Sequence, residues 1–340
     1  MKRVLYIGEF PPPIGGVTIK NDLLKRYIFM DSMNEFFDLY DCKKNRLNIL
    51  SLIKKILQFD RFIIGVGSNR RLTCILQLIR ILKGEKKLKN CVIFMMGSTL
   101  HIYCKNHPLT AKLLRNTKSI YTESLNINEQ FNAQGINQTN YFPNCRINMC
   151  NMNSKKREKK EPLKLLFFSK ICKEKGVDTL FCLLDEIKNT ECKIILDFYG
   201  LIDSSYQDEF KINLKKHKDI CNYCGVFNPC ENDIYEKLHE YDLLLFPSTW
   251  KGEGVPGILI ESKMAGIPCI VSNHNFNKEI IINQQEGIVV SGNQAYGFKE
   301  AIIKLYNDDA FYNKLANGAF LSRKRYDISE YVYELRNLWD

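Results

Sequence analysis

Apolar residues recur along this chain in two alternating rhythms. Short apolar runs at 4–8, 62–67, 91–96, 163–169, 193–200 and 243–246 suit strands buried on both faces. Between them, apolar positions spaced three and four apart predict helices over 18–30, 46–57, 70–83, 170–188, 258–265, 295–307 and 329–339. Further short strands are expected at 120–124, 220–228, 269–271 and 287–290. Strands alternating with helices imply an α/β protein with parallel sheets. The rhythm breaks once, at 151–162 (NMNSKKREKKEP), a polar stretch with seven charges closed by proline. Such a segment reads as an exposed linker rather than a nucleic-acid contact, and it divides the chain into domains at 1–150 and 163–325.

The densest chemistry lies in 241–272, YDLLLFPSTWKGEGVPGILIESKMAGIPCIVS. A strand is followed by a Gly/Pro-rich turn, a helix stopped by Gly266 and Pro268, and a second strand. The amides of Gly254, Val255 and Gly257, with the positive end of the helix dipole, offer a seat for phosphate. Glu253 and Glu261 bracket that seat. At the helical rise, eight residues separate them by at least about 12 Å along the axis. Phosphate repels carboxylates, so their business is hydroxyl groups: a ribose for one and a sugar for the other.

E-x7-E within EGVPGILIESKMAGIP resembles the signature of retaining, family-4-type glycosyltransferases (glycosyl transferases group 1). The resemblance implies the GT-B fold, two Rossmann-like α/β/α domains facing a cleft. It also implies an N-terminal acceptor-binding domain, a C-terminal nucleotide-sugar-binding domain, and a last helix, 326–340, crossing back to the first. Residues 140–144 (NYFPN) resemble the family's last N-domain strand. Residues 169–176 are similar to its Gly-Arg-x4-Lys-Gly: Lys175 and Gly176 match, while Ser169 and Lys170 stand where glycine and arginine are usual. Lysine keeps the charge and loses the bidentate fork. The resemblance makes Lys175 and Lys170 the cations that neutralise a leaving diphosphate, Glu253 the residue that orients the donor sugar, and Glu261 the ribose ligand. The backbone at Gly225 and Val226 would meet the base, Gly15 and Gly16 would face acceptor and donor phosphates, and His101 is the candidate sugar contact. The chain has no Asp-x-Asp, and two cations serve the diphosphate, so neither metal nor cofactor is expected.

Composition shapes the rest. The proline-glycine loop after the first strand is not G-x-G-x-x-G, so nicotinamide binding has no support. Thirteen cysteines without an export signal fit reduced thiols in the cytosol. Cys221-x2-Cys224, with Cys230 and His239 nearby, reads as packed strand-end residues rather than zinc ligands. No run of 18 apolar residues suggests a membrane span. The net charge is +11, yet residues 1–150 carry 23 Lys/Arg against 10 Asp/Glu and residues 151–340 carry 26 against 28. A basic first domain points to an anionic partner there. In helix 46–57, Ile49, Leu50, Ile53, Ile56 and Leu57 share a face beside Lys54 and Lys55. That face reads either as cover for a sheet or as an interfacial surface on anionic lipid.

Together these features describe a cytoplasmic enzyme, peripheral on the inner face of the cell membrane. It would move a hexosyl or N-acetylhexosaminyl group from a UDP- or GDP-sugar to a glycan or lipid-linked acceptor, in capsule or O-antigen assembly. The rival readings are a GT-B nucleotide-sugar epimerase and a non-catalytic sugar-nucleotide-binding protein; a glucan synthase or phosphorylase suits the chain length poorly.

Overall fold

A computed structural model describes residues 3–13, 15–28, 34–148, 152–157, 162–228, 233–292 and 294–339. Ile14 in the proline-glycine loop, Met30 at the end of the first expected helix, Asn151 and residues 158–161 of the charged linker, and Cys230 lie outside the described residues. The chain divides into two compact units, Met1–Arg146 with Asp327–Asp340, and Ile147–Tyr326.

Unit 1 is built on a parallel sheet. Its strands are β1 (Val4–Gly8), β2 (Glu35–Asp38), β3 (Arg61–Gly65), β4 (Cys91–Phe94), β5 (Ser119–Thr122) and β6 (Thr139–Tyr141), in the order β2-β1-β3-β4-β5-β6. The central strands are apolar at nearly every position because helices pack on both faces. The edge strand β2 (EFFD) escapes the sequence pattern: it has four residues, and Phe36 is left 46% exposed. The core gathers Tyr6, Ile63, Val92 and Phe94 with Ile328, Leu335 and Leu338 from the chain's far end. That C-terminal stretch is not the single helix expected over 329–339. Asp327 accepts from the Ser329 amide at 2.9 Å and starts a 3-10 turn, Ile328–Tyr331. Tyr331, at φ −108°, then caps a separate short helix, Val332–Arg336.

The helix expected at 46–57 runs Asn48–Gln58, and only part of its apolar stripe covers the sheet. Leu52 and Ile56 are buried, whereas Ile49, Leu50 and Leu57 are exposed.

Unit 2 has its own parallel sheet of β7 (Leu163–Phe168), β8 (Ile194–Tyr199), β9 (Cys221–Tyr223), β10 (Leu243–Phe246), β11 (Cys269–Ser272) and β12 (Gly287–Val290). Its order is β12-β11-β10-β7-β8-β9. Read from the other edge, this is the 3-2-1-4-5-6 arrangement of dinucleotide-binding folds. The chain's direction of winding reverses between β7 and β10, and the loops leaving their carboxyl ends diverge to opposite sides. Ligands of open α/β sheets sit in the crevice at that point. Leu165, Phe167, Leu196, Phe198, Leu243 and Leu245 fill the core beneath it.

The helix expected from 170 begins late. One 3-10 turn, Lys173–Lys175, ends at Gly176, and the α-helix proper is Val177–Ile187. Gly176 has φ +77°, and a Cβ there would come within 2.3 Å of the Pro247 carbonyl oxygen. Glycine is therefore required twice over, by the left-handed backbone and by the close approach of the β10 loop. Among the described residues no helix is long and apolar enough to cross a membrane.

Candidate functional site

The loops after β7 and β10 bring the two central candidates into contact. The Lys175 ammonium pairs with Glu253 Oε2, and the Ser248 hydroxyl donates to the same oxygen at 2.9 Å. Both charged side chains are nearly enclosed, with 8% and 12% of their surfaces exposed, and Ser248 is fully buried. The Thr249 amide donates to the Glu174 carbonyl at 2.9 Å, stitching the two loops together beside the pair. The Trp250 ring centre lies 4.6 Å from the Lys175 Nζ, and the Phe246 ring 5.8 Å. A low-dielectric surrounding of this kind strengthens whatever the ammonium attracts.

The expected phosphate seat starts at Gly257, where the helix Gly257–Met264 begins with Pro256 as its cap, a residue that makes no side-chain cap bond. Only four of the eight steps from Glu253 to Glu261 are therefore helical, and their rise is about 6 Å. The expected reach of about 12 Å is that of a continuous helix, and a loop takes the place of its first turn. The first four residues, Glu253–Pro256, form a loop whose shape Asn275 fixes: its side-chain amide donates to the Trp250 and Glu253 carbonyls at 3.1 and 3.2 Å. Val255 is buried, Gly254 and Gly257 are half-buried, and Glu261 is half-buried one helical turn beyond Gly257.

Lys170 is not part of this cluster. Its ammonium turns outward to Asp203, which also accepts from the Ser205 amide and hydroxyl at 2.9 and 2.6 Å. The Asp203 hydrogen bond raises the lysine's pKa, and Lys170 with Ser205 holds the carboxyl well below the usual range. Gly225, at φ +85°, offers its carbonyl to the Gly200 amide at 2.9 Å, and Val226 beside it is 63% exposed.

The remaining candidates belong to unit 1. Gly15 and Gly16 start the first helix, Gly16–Ile28, and a Cβ on either would meet nothing within 4 Å. The space beside their Cα atoms is open, while the Gly15 amide donates to Thr18 Oγ1 and its carbonyl accepts from the Ile19 amide, each at 2.9 Å. His101 sits in the helix Leu100–Asn106, buried against Phe131 at 6.1 Å between ring centres. Burial, and then Lys105, lower its pKa, against an opposing hydrogen bond to the Ser98 backbone, so the imidazole is neutral near pH 7. Nearby, a small open pocket is lined by Val66, Gly67, Asn69, Met96, Gly97 and Thr99, among others.

Two functional candidates escape sequence reading. Ser248 and Trp250 lie in a turn that the sequence marks only by its glycines and proline. Cys221 is buried and Cys224 exposed, and among the described residues no group of three His, Cys, Asp or Glu side chains is placed to hold a metal.

Two Rossmann-like units in one chain, the second with a cation-carboxylate pair at its topological switch, define the GT-B fold. Residues 151–321 match the family of glycosyl transferases group 1. The chain belongs to that family. It is similar to the Escherichia coli UDP-Gal:alpha-D-GlcNAc-diphosphoundecaprenol alpha-1,3-galactosyltransferase, 30% identical over 138 residues, which cover 38% of this chain and 33% of the relative. It is also similar to a glycogen synthase of Mycobacterium tuberculosis, 24% identical over 164 residues, covering 48% and 39%. The matched stretches thus span only 33% and 39% of these curated relatives. Among solved structures, Anabaena Alr3699/HepE in complex with UDP superposes with a TM-score of 0.75 at 14% identity, covering 99% of this chain and 98% of that one.

Proposed function

We propose that this protein is a retaining glycosyltransferase that moves a hexosyl or N-acetylhexosaminyl group from a nucleotide-sugar to a glycan or lipid-linked acceptor. The observation that carries the reading is the Lys175–Glu253 pair at the switch between β7 and β10. An ammonium held there would take charge from a departing diphosphate, and the amides at Gly257 would add to that stabilisation. Glu253, brought in by the same loop, would hold a hydroxyl of the donor sugar, and Glu261 a ribose hydroxyl. Lys170 would reach the diphosphate once it exchanges Asp203 for phosphate. The base would lie along Gly225 and Val226. No step in this scheme calls for a metal.

UDP is the first donor nucleotide to test, because the HepE neighbour has been crystallised with UDP and with UDP-glucose. A lipid-linked diphosphate acceptor accords with the printed activity of the E. coli relative. The acceptor role falls to unit 1, with the open space beside Gly15 and Gly16 and the pocket lined by Gly97 near His101. Unit 1 is also the basic part of the molecule. The segment 327–340 brings four acids and one base, trimming the surplus of 1–150 to +10. This charge, with the exposed Leu47, Leu50 and Leu57 beside Lys54, favours docking on an anionic membrane surface, with capsule or O-antigen assembly as the setting.

The test is turnover. UDP- and GDP-sugars are incubated with undecaprenyl-diphosphate-linked sugars and with free glycans, with and without EDTA, and product linkage is read by NMR. An α-linked product from an α-linked donor, undiminished by EDTA, is expected. Free sugar or an epimerised nucleotide-sugar as the only product would favour the epimerase, and binding without turnover on any acceptor the non-catalytic protein.

A further inference from the structure

The Lys175 ammonium, on which the proposed chemistry depends, is almost sealed. Glu253 closes one side, and aromatic faces from Phe246 and Trp250 close others. A phosphate oxygen can reach Nζ only if one of these groups gives way. Phe246 is a buried strand residue, and Glu253 is 12% exposed and tied to Ser248. Trp250 differs: it is 47% exposed and stands at the rim.

Its backbone, in contrast, is pinned. The Trp250 carbonyl accepts from His274 Nε2 at 3.0 Å and from the Asn275 side-chain amide at 3.1 Å, and its own amide donates to Ser248 Oγ at 3.4 Å. With the loop so held, any movement there falls to the exposed indole. Gly252 makes room for it, since a Cβ there would press to 3.3 Å from the indole nitrogen. Lys175 keeps its Glu253 partner, and an anion that offers charge-assisted hydrogen bonds can take the place of the exposed ring face on the cation.

We propose that Trp250 is a donor-contact residue, whose indole covers the Lys175 cation in the free protein and moves onto the nucleotide-sugar when its diphosphate takes the cation. The flat apolar ring suits the C–H face of a sugar, and covering it excludes water from the bond to be broken. This inference rests on the donor site proposed above.

The chain supplies its own probe, because it contains only two tryptophans. The other, Trp339, belongs to unit 1, beside Arg61 at 5.2 Å and donating to the Asn90 carbonyl at 3.4 Å. In Trp339→Phe, fluorescence therefore reports Trp250 alone. UDP-glucose, UDP-N-acetylglucosamine and GDP-mannose would be titrated while calorimetry follows binding independently. The expected result is a change in emission that saturates with the calorimetric isotherm. Trp250→Ala should weaken the bound nucleotide-sugar roughly five- to tenfold and Trp250→Phe less than about twofold, with melting temperatures unchanged. A clear isotherm with flat Trp250 emission, or Trp250→Ala binding as tightly as the wild type, would overturn the inference and leave the donor site standing. No binding of any nucleotide-sugar to the wild type would overturn both.

Discussion

Lys175 and Lys170 share a motif but not an environment. Lys175 is enclosed with Glu253, while Lys170 is half exposed and engaged by Asp203. An enclosed cation acts undiluted by water and is worth far more to a developing charge than an exposed one. Lys175→Ala should therefore lower turnover by about 10²- to 10³-fold, the usual scale for removing one preorganised charge stabiliser. Lys170→Ala should cost only about tenfold, because a surface ion pair contributes little. Nucleotide release measured in steady state distinguishes them; equal losses would place both lysines on the diphosphate with equal weight. At this scale the sequence was generous with charged residues, since glutamates and lysines at fixed spacing stand out. It was silent on Ser248 and Trp250, whose importance lies in what a fold brings beside them rather than in any periodicity.

At the scale of elements, the apolar runs mark nearly every buried strand, and β1 and β10 fall where the runs do. Elements without a strong apolar signal were harder to read. The edge strand β2 has too few buried positions to show a pattern, and the break in the C-terminal segment depends on Asp327 and Tyr331 rather than on hydrophobicity. The late start of the helix Val177–Ile187 has the clearest consequence. Gly176 sets the direction in which Lys175 leaves its loop, and it lies against Pro247. Gly176→Ala combines a left-handed backbone with a steric clash, each costing of order 1–3 kcal/mol. A melting temperature lowered by several degrees is expected, together with weakened nucleotide binding although no charge has changed. Wild-type stability in that variant would show that the two loops are not held together there.

At the scale of the whole molecule, the chain passes between its units twice, and its last 14 residues complete the core of the first. Charge is distributed by unit, with +10 of the net +11 in unit 1. If that surplus and the exposed stripe of the helix Asn48–Gln58 dock on lipid, the protein should float with vesicles containing anionic phospholipid and not with purely zwitterionic ones. Raising salt from 0.1 to 0.5 M (approximate) should reduce the bound fraction severalfold by screening. Leu50→Asp with Leu57→Asp should abolish flotation without altering nucleotide binding. Flotation that ignores lipid charge and both substitutions would remove the membrane from the account.

The central claim is that a nucleotide-sugar binds unit 2 through the enclosed cation at the β7–β10 switch. Calorimetric titration of wild type and Lys175→Ala with UDP-glucose, UDP-N-acetylglucosamine and GDP-mannose tests it most directly. The account predicts saturable binding of at least one of these to the wild type and a loss of tenfold or more in the variant, roughly the worth of one charge-assisted hydrogen bond. Equal affinity in both proteins, or no binding to either, would contradict it.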